Sequence, residues 1–576
     1  MLRSGRSSRT GFSFDFLAVL LLFLVSVFLR MHGKSNAFFL VAGADGPYYP
    51  VQVKSILEKG FLAFPDMPLV FWLSAGLAKF LSWLSISEPV LTAVCLVDGL
   101  LPPLAIFPAW LLTRSILKSD GGERIKAFFP ALIPVAFCAF NHTSLLVFSS
   151  QLEKNAIAIA PVLAALLFLF RWYDSGMQRA DARWAAFWLL ICGITHFGSF
   201  CILSAFILIL YVVNWIKDRS SGLSKFNQTH AFLLLGLFSV LTLLLLLDRD
   251  RFMRLVFFPL RVFERPSILV FLNSGIMGIP GFGPKLFSLF FLIMLGVFLF
   301  QTRKEFGRRK WQFGLSLWLL GMALASPLNG IEWANRLAYM AFVPIIGLLG
   351  FVFSVKNSPI WKWFFGGILV LFMAVNILQL FSIPLQTAIS KEALGEFQQI
   401  GNRYPINSQD LIVSRQDLRI LGAWKYGAST SADYLLTSND FDQHRHLLFI
   451  TQKAGSNLAP ARFRDVKVTA NSEQVFEGSY FDVFRIHKSG FVSGPGSPPR
   501  AYGKIVGISP HSIVVKNEIS GISNRVFFDP GTKILLEGKS VGLSVGQHVE
   551  IWGRWEVFGL GINANEIHLY SSNKKL

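Results

Sequence analysis

Phe16-Leu17-Ala18-Val19-Leu20-Leu21-Leu22-Phe23-Leu24-Val25-Ser26-Val27-Phe28-Leu29, with Gly43-Ala44-Asp45-Gly46-Pro47-Tyr48-Tyr49-Pro50 just beyond it, decides the fold of this chain. The first stretch is uncharged and suits the roughly 30 Å hydrocarbon core of a bilayer better than a soluble interior. The second stretch holds a carboxylate, Asp45, in a turn that Gly46 and Pro47 favour. An acid set beside a bilayer points to chemistry on a substrate carried by lipid.

The rest of the chain repeats the first signal. It has 576 residues, 53% of them hydrophobic, with a mean hydropathy of +0.51. A soluble protein of this size must cover itself with polar residues and rarely reaches such a value. Apolar stretches predict about eleven transmembrane helices, at 16–30, 88–112, 127–147, 155–170, 184–199, 200–216, 231–247, 284–300, 311–326, 335–354 and 363–384. The chain is therefore a polytopic α-helical membrane protein. Arg3, Arg6 and Arg9 precede the first span without a small-residue cleavage site after it, which predicts an uncleaved helix.

Net charge is +20, and most of the excess lies among the spans. It reads as topology and lipid contact, and nucleic acid is not an expected partner. Loops holding Arg114 and Lys118, Arg171 and Arg183, Lys217 and Lys225, Arg303 to Lys310, and Lys356 and Lys362 are short and basic, so they belong with the N-terminus in the cytoplasm. Trp110, Trp172, Trp184, Trp215, Trp311 and Trp361 stand at span ends, where an interfacial belt is expected. Cys95, Cys138, Cys192 and Cys201 fall in apolar spans and read as small buried hydrophobes.

The remaining loops, and everything beyond residue 384, then face outward. The membrane part is 1–384, with a first outer loop at 31–87 whose two apolar segments suit helices lying along the interface. An extracytoplasmic α/β domain is expected at 385–488, a Gly/Pro linker at 489–499, and a small OB-like β-barrel at 500–576.

Several outward residues carry chemistry. Asp45 leads, with Tyr48 and Tyr49 as a surface for sugar stacking. Glu153 opens a span, and two acids on one face can share acid–base work or hold a cation. Asn141 and His142 flank the same loop, and His196 sits at another outer turn; each also suits a structural hydrogen-bonding role. Arg249, Arg251 and Arg254 defy the positive-inside tendency, and guanidinium groups hold phosphates bidentately. Glu332 and Arg336 stand at the mouth of the tenth span, where ionisable groups are costly unless paired or used.

Taken together these residues resemble the GT-C superfamily of membrane glycosyltransferases, in particular the catalytic subunit of oligosaccharyltransferase and its prokaryotic relatives. Gly43 to Tyr49 matches the family's Asp in the first outer loop. Leu152-Glu153-Lys154-Asn155-Ala156-Ile157-Ala158-Ile159 is similar to its second acidic motif, with a lysine inside the acidic pattern. Asn335-Arg336-Leu337 through Pro344 resembles its late-span arginine. The resemblance covers residues 14–384 and implies helices around a cleft open to the outer face. It implies a polyprenyl-phosphate-linked sugar donor, Asp45 and Glu153 as catalytic acids, and arginine contacts to the donor phosphate. It also implies a divalent cation, Mg2+ or Mn2+, on Asp45 and Glu153. The acceptor would be a glycan, a lipid or a protein; no tryptophan–tryptophan–aspartate acceptor motif is present, so protein N-glycosylation is not supported.

The expected function is inverting transfer of a sugar at the outer face of the plasma (inner) membrane. The alternative is a transporter or flippase of a lipid-linked or anionic solute, for which an acid deep in the membrane would speak; Asp98 is the candidate. A scaffold whose tail binds glycan is a third reading.

Overall fold

A computed structural model describes residues 7–34, 46–118, 128–147, 153–217, 228–256, 258, 262–264, 266–268, 282–355, 359–382, 389–453, 466, 468, 472–489, 491, 493–517, 523–536, 539–540, 542–555 and 561–570. All eleven apolar stretches are helical. They are α1 (Ser7–Lys34); α4 (Pro89–Leu100), continued through a 3-10 turn into α5 (Ile106–Lys118); α6 (Phe128–Phe140) with a π-turn at Thr143–Val147; α7 (Glu153–Asp174); α8 (Arg179–Thr195); α9 (Phe197–Lys217); α10 (Gln228–Leu247); α12 (Phe282–Gln301); α13 (Arg308–Leu324); α14 (Ile331–Met340) with α15 (Phe342–Ser354); and α16 (Pro359–Ser382). The remaining helices of this part are α2 (Tyr48–Lys59), α3 (Leu69–Trp83) and α11 (Arg249–Val256). Six of the described segments are long and apolar enough to cross a membrane by length and composition, and shorter apolar helices join them.

Contacts between helix ends give the alternation of the crossings. At one face Asp15 of α1 pairs with Arg114 of α5 at 3.8 Å. There too, Tyr173 Oη of α7 lies 2.7 Å from Gln312 of α13 and 3.2 Å from Asn214 of α9. His230 of α10 packs on Trp172 and Tyr211, and Trp361 of α16 meets Phe298 of α12. At the other face Arg30 of α1 bonds to α4 and to Ser144, and Asn376 of α16 donates to Phe140 O at 3.2 Å. Successive spans thus run in opposite directions. The described basic residues at span ends, among them Arg114, Arg171, Arg308 and Lys362, gather at the first face. The central spans are α7 and α14–α15, each 83% buried, whereas α1 and α16 are 22% and 28% buried and form the rim.

The tryptophan belt is only partly as expected. Trp184 and Trp215 are exposed, but Trp172 is buried against His230, and Trp110 is buried with Arg114 over its ring. Both serve helix packing. Three of the cysteines are buried and Cys201 is partly so.

In the first outer loop α2 does not lie open on an interface. It packs on α3 and α4 through Tyr49, Val53, Ile56, Phe71, Ala75, Ala93 and Val94. Its other side is covered by the tail. α3 keeps an exposed apolar stripe of Trp72, Leu73, Phe80 and Trp83, spaced as one helix face.

The tail begins with α17 (Lys391–Arg403), whose Ser390 side chain accepts from Ala393 N as an N-cap. A mixed five-stranded sheet follows, in the order β2 (Ser429–Ser431), β1 (Leu411–Val413), β3 (Leu447–Gln452), β5 (Phe481–Ile486), β4 (Ser472–Glu477). β1 runs parallel to β2 and β3, and the β3–β5–β4 side is antiparallel. α17 and α18 (Gln416–Tyr426) cover one face through Phe397, Ile400, Leu418 and Leu421. The Gly/Pro stretch after it is pinned at both sides: Gly494 and Gly496 donate to Leu436 O and Tyr434 O, and Trp552 Nε1 donates to Ser497 O at 2.7 Å.

The last strands close into a barrel: β6 (Ala501–Ser509), β7 (Ser512–Lys516), β8 (Ser523–Phe527), β12 (Gly561–Tyr570), β11 (His548–Trp555) and back to β6. β8 and β12 pair in parallel, while β11–β6 is antiparallel. Five strands in a ring with this order and these directions are the OB-type arrangement. The interior holds Ile505, Ile513, Val515, Val526, Ile551, Ile562 and Ile567 at alternate positions.

Candidate functional site at the loop-bearing mouth

α7 starts at Glu153, and its first turn meets the first outer loop. Lys154 N donates to Tyr49 Oη at 3.1 Å. Tyr49 belongs to the first turn of α2, directly after the buried Gly46-Pro47 turn. The two acidic motifs of the sequence therefore lead into helices that touch. Asp45 itself lies outside the described residues, and Gly46, the residue after it, opens the described turn.

Glu153 is 8% exposed, which rules out a solvated span end paired with Lys154. The helix N-terminus favours a carboxylate at that position. Arg30 of α1 faces it: Glu153 and Tyr49 both lie within electrostatic reach of that guanidinium. Arg30 is 4% exposed and its partner Asp98 1%. Its Nε donates to Asp98 O at 2.6 Å, Nη2 to Asp98 Oδ1 at 2.7 Å and Nη1 to Ser144 O at 3.3 Å. A narrow cleft beside it is lined by Ser26, Arg30 and Ser144 at its polar end and by Pro102, Pro103, Ile106, Cys138, Leu145 and Ile159 elsewhere. Ala156, one turn inside Glu153, also lines it.

Lys154 turns its ammonium to Asp66, a carboxylate 2% exposed in the loop between α2 and α3. Tyr48 Oη donates to the same carboxylate at 2.5 Å. Gln52 Nε2 donates to Tyr48 Oη at 2.9 Å, and its two amide atoms bond to both backbone groups of Phe64. Tyr48 and Tyr49 are thus fixed by polar bonds and ring contacts, with centroids 5.8 Å apart in an edge-on arrangement.

The other outward residues divide. Asn141 Nδ2 donates to Phe137 O, Cys138 O and Ser144 Oγ, so it ends α6 and shapes the π-turn that presents Ser144 O to Arg30. His142 shares a side-chain hydrogen bond with Asn376 of α16. His196 Nδ1 accepts from Ser199 N at 3.1 Å and lies 2.9 Å from Ser199 Oγ, so the ring caps α9. These three residues hold helix ends.

Arg249 is the first residue of α11 and is exposed. The side chains of Arg251, Arg254 and Glu332 lie outside the described residues. Arg336 is exposed, with its guanidinium 5.9 Å from the Trp333 ring centroid. The loop after α11 and the loop before α14 are stitched together: Gly330 N donates to Val262 O at 2.6 Å, Ser267 N to Asn329 O at 2.9 Å and Ser267 Oγ to Pro327 O at 2.9 Å. The arginine loop and the Arg336 span mouth therefore form one unit on the same face as Glu153.

Arg30 and Asp66 are functional candidates that the sequence reading passes over. Arg30 ends the first predicted span, and Asp66 stands in the first outer loop between Pro65 and Pro68. The one available signal was charge beside an apolar run.

The residues described do not fit a divalent cation. Asp66 is taken by Lys154, Asp98 by Arg30, and Glu153 faces the Arg30 guanidinium. No group of three or more His, Cys, Asp or Glu among the described residues can hold a metal ion.

No family model and no curated protein matches the chain. Among solved structures it is similar to ArnT from Cupriavidus metallidurans bound to undecaprenyl phosphate, at 12% identity and a TM-score of 0.47, covering 85% of this chain and 100% of that one. It is also similar to the oligosaccharyltransferase of Archaeoglobus fulgidus in complex with Zn and sulfate, at 12% identity and a TM-score of 0.38, covering 75% of this chain and 67% of that one.

Proposed function

We propose that this chain is a membrane glycosyltransferase that moves a sugar from a polyprenyl-phosphate-linked donor to an acceptor hydroxyl at the face bearing the first outer loop. The observation that carries the reading is the buried Glu153 at the start of α7, bonded through its neighbour to the helix that follows the Asp45 turn. An acid kept out of water at the mouth of a span is costly unless it is paired or used.

In this reading the Asp45 carboxylate takes the acceptor hydroxyl's proton. The acceptor oxygen bonds to the anomeric carbon as the bond from that carbon to the phosphate oxygen breaks, and the electron pair leaves with the lipid phosphate. Attack opposite the leaving group inverts the anomeric centre. Glu153 orients the acceptor or the sugar. Tyr49, 4% exposed and packed against Val53 and Phe71, holds α2 in place and has no ring face free for sugar stacking. Arg336 and the arginines of α11 meet the phosphate, where negative charge develops. Basic loops at the opposite face support a cytoplasmic N-terminus, an extracytoplasmic tail and a plasma (inner) membrane location.

The flippase alternative called for an acid deep in the membrane. Asp98 is buried, but it pairs with Arg30 near the outer end of α1, and Arg30 also bonds to Ser144 O just past α6, so among the described residues no unpaired mid-depth acid supports transport. The test compares wild type with Asp45→Asn and Glu153→Gln in proteoliposomes given radiolabelled polyprenyl-phosphate-linked sugars. Each variant is expected to bind donor while transfer falls about 100-fold or more. Transfer that survives both substitutions rejects the site.

A further inference from the structure

The sequence resemblance places a divalent ion between the first outer loop and the start of α7. The structure has something else there. Asp66 accepts from Tyr48 Oη at 2.5 Å and from Met67 N at 2.7 Å, and it pairs with the Lys154 ammonium. That ammonium lies 5.4 Å and 5.2 Å from the ring centroids of Tyr48 and Phe71, within cation–π range. The same residue's backbone N–H holds Tyr49 Oη. One residue of α7 therefore grips α2, α3 and the loop between them.

We infer that Lys154 is the resident cation of this site, and that with Asp66 it does what a bridging metal would do. It fastens the loop that follows Asp45 to the helix that begins with Glu153. A divalent ion placed beside Glu153 would be repelled by both Lys154 and Arg30, and it would find Asp66 already neutralised. The charge is covalently part of the chain, so chelation cannot remove it. Lys154 is a positioning residue here. The inference rests on the transferase reading only for which reaction the positioning serves.

Hydrogen–deuterium exchange of the full-length protein in nanodiscs tests it without any transfer measurement. Exchange in α2 and α3 is expected to be the same in EDTA, in Mg2+ and in Mn2+. Lys154→Met should speed exchange there by about tenfold or more, as local opening becomes easier, and Lys154→Arg should restore most of the protection. If Lys154→Met fails to fold, Asp66→Asn keeps the side-chain shape, removes the charge and should give the same local loosening. EDTA-dependent loosening of wild type, tightening by Mn2+, or unchanged exchange in Lys154→Met and Asp66→Asn overturns the inference. In the transfer assay, EDTA is expected to leave the rate unchanged. Absence of transfer under all conditions, with the exchange pattern as expected, counts against the transferase reading and leaves the fastening in place.

Discussion

Arg30 and Asp98 are both buried charges at the mouth, and they meet across 68 residues of sequence. Removing one partner of a buried pair strands the other, at a cost of about 3–5 kcal/mol. Arg30→Met should therefore lower the unfolding temperature in detergent clearly. Arg30→Met combined with Asp98→Asn should recover part of the loss, because Asp98 is then no longer charged without its partner. Additive losses in the double variant would contradict the pairing. Asp98 was visible in the sequence as an acid in an apolar span, but its partner was not. The same holds for Lys154, which sequence proximity pairs with Glu153 and the fold pairs with Asp66, 88 residues away. Charges within one helix turn are legible; partners set by tertiary packing are not.

At the scale of elements, two glycines make local tests. A Cβ on Gly330 would meet Glu264 O at 2.2 Å, so Gly330→Ala should force apart the loops that carry the arginines and Arg336. The expected result is transfer reduced with donor KM raised more than kcat lowered, measured in proteoliposomes. Gly503 in β6 has a φ of +145° and sits where a Cβ would meet Lys516 O at 2.1 Å. Gly503→Ala should destabilise the barrel by about 1–3 kcal/mol, seen as faster exchange in β6 and β7, with the membrane helices unaffected. The five strands of the ring were legible because inward residues alternate with polar ones. β9 (Lys533–Leu536) was not, because four residues with three consecutive apolar positions show no period. The covering of α2 was illegible for another reason. Its amphipathic pattern fits an interface as well as it fits the tail that packs on it.

Over the whole molecule, the tail and the first outer loop share one face. Lys54 Nζ of α2 donates to Trp424 O near the C-terminus of α18 at 3.2 Å, where a cation meets the negative end of the helix dipole. Lys425 beside it is pushed below the ordinary lysine range, first by burial, with Lys54 adding to the effect and Glu88 opposing it. A lysine whose folded pKa is lowered costs stability while it is charged. That cost fades as pH rises through the lowered pKa toward the ordinary value. Lys425→Met should therefore tighten tail docking at neutral pH and flatten its rise on the alkaline side, as read by exchange in α2 and α18. The alternation of crossings predicts that Ser497→Cys and Arg308→Cys label from opposite sides with a membrane-impermeant maleimide; the native cysteines, buried or partly buried, give little background. The helical state and order of the eleven apolar stretches were legible because an apolar run of that length has few other uses. Their grouping into a Glu153–Tyr49 unit and an arginine-loop unit was not, since it depends on which helices touch.

Purified wild type should be placed in liposomes whose radiolabelled polyprenyl-phosphate-linked sugar is confined to one leaflet, with acceptor supplied on the side of the first outer loop. The account predicts labelled acceptor and a freed lipid phosphate in equal amounts, in the presence of EDTA. Intact donor crossing to the other leaflet with no labelled acceptor would contradict it.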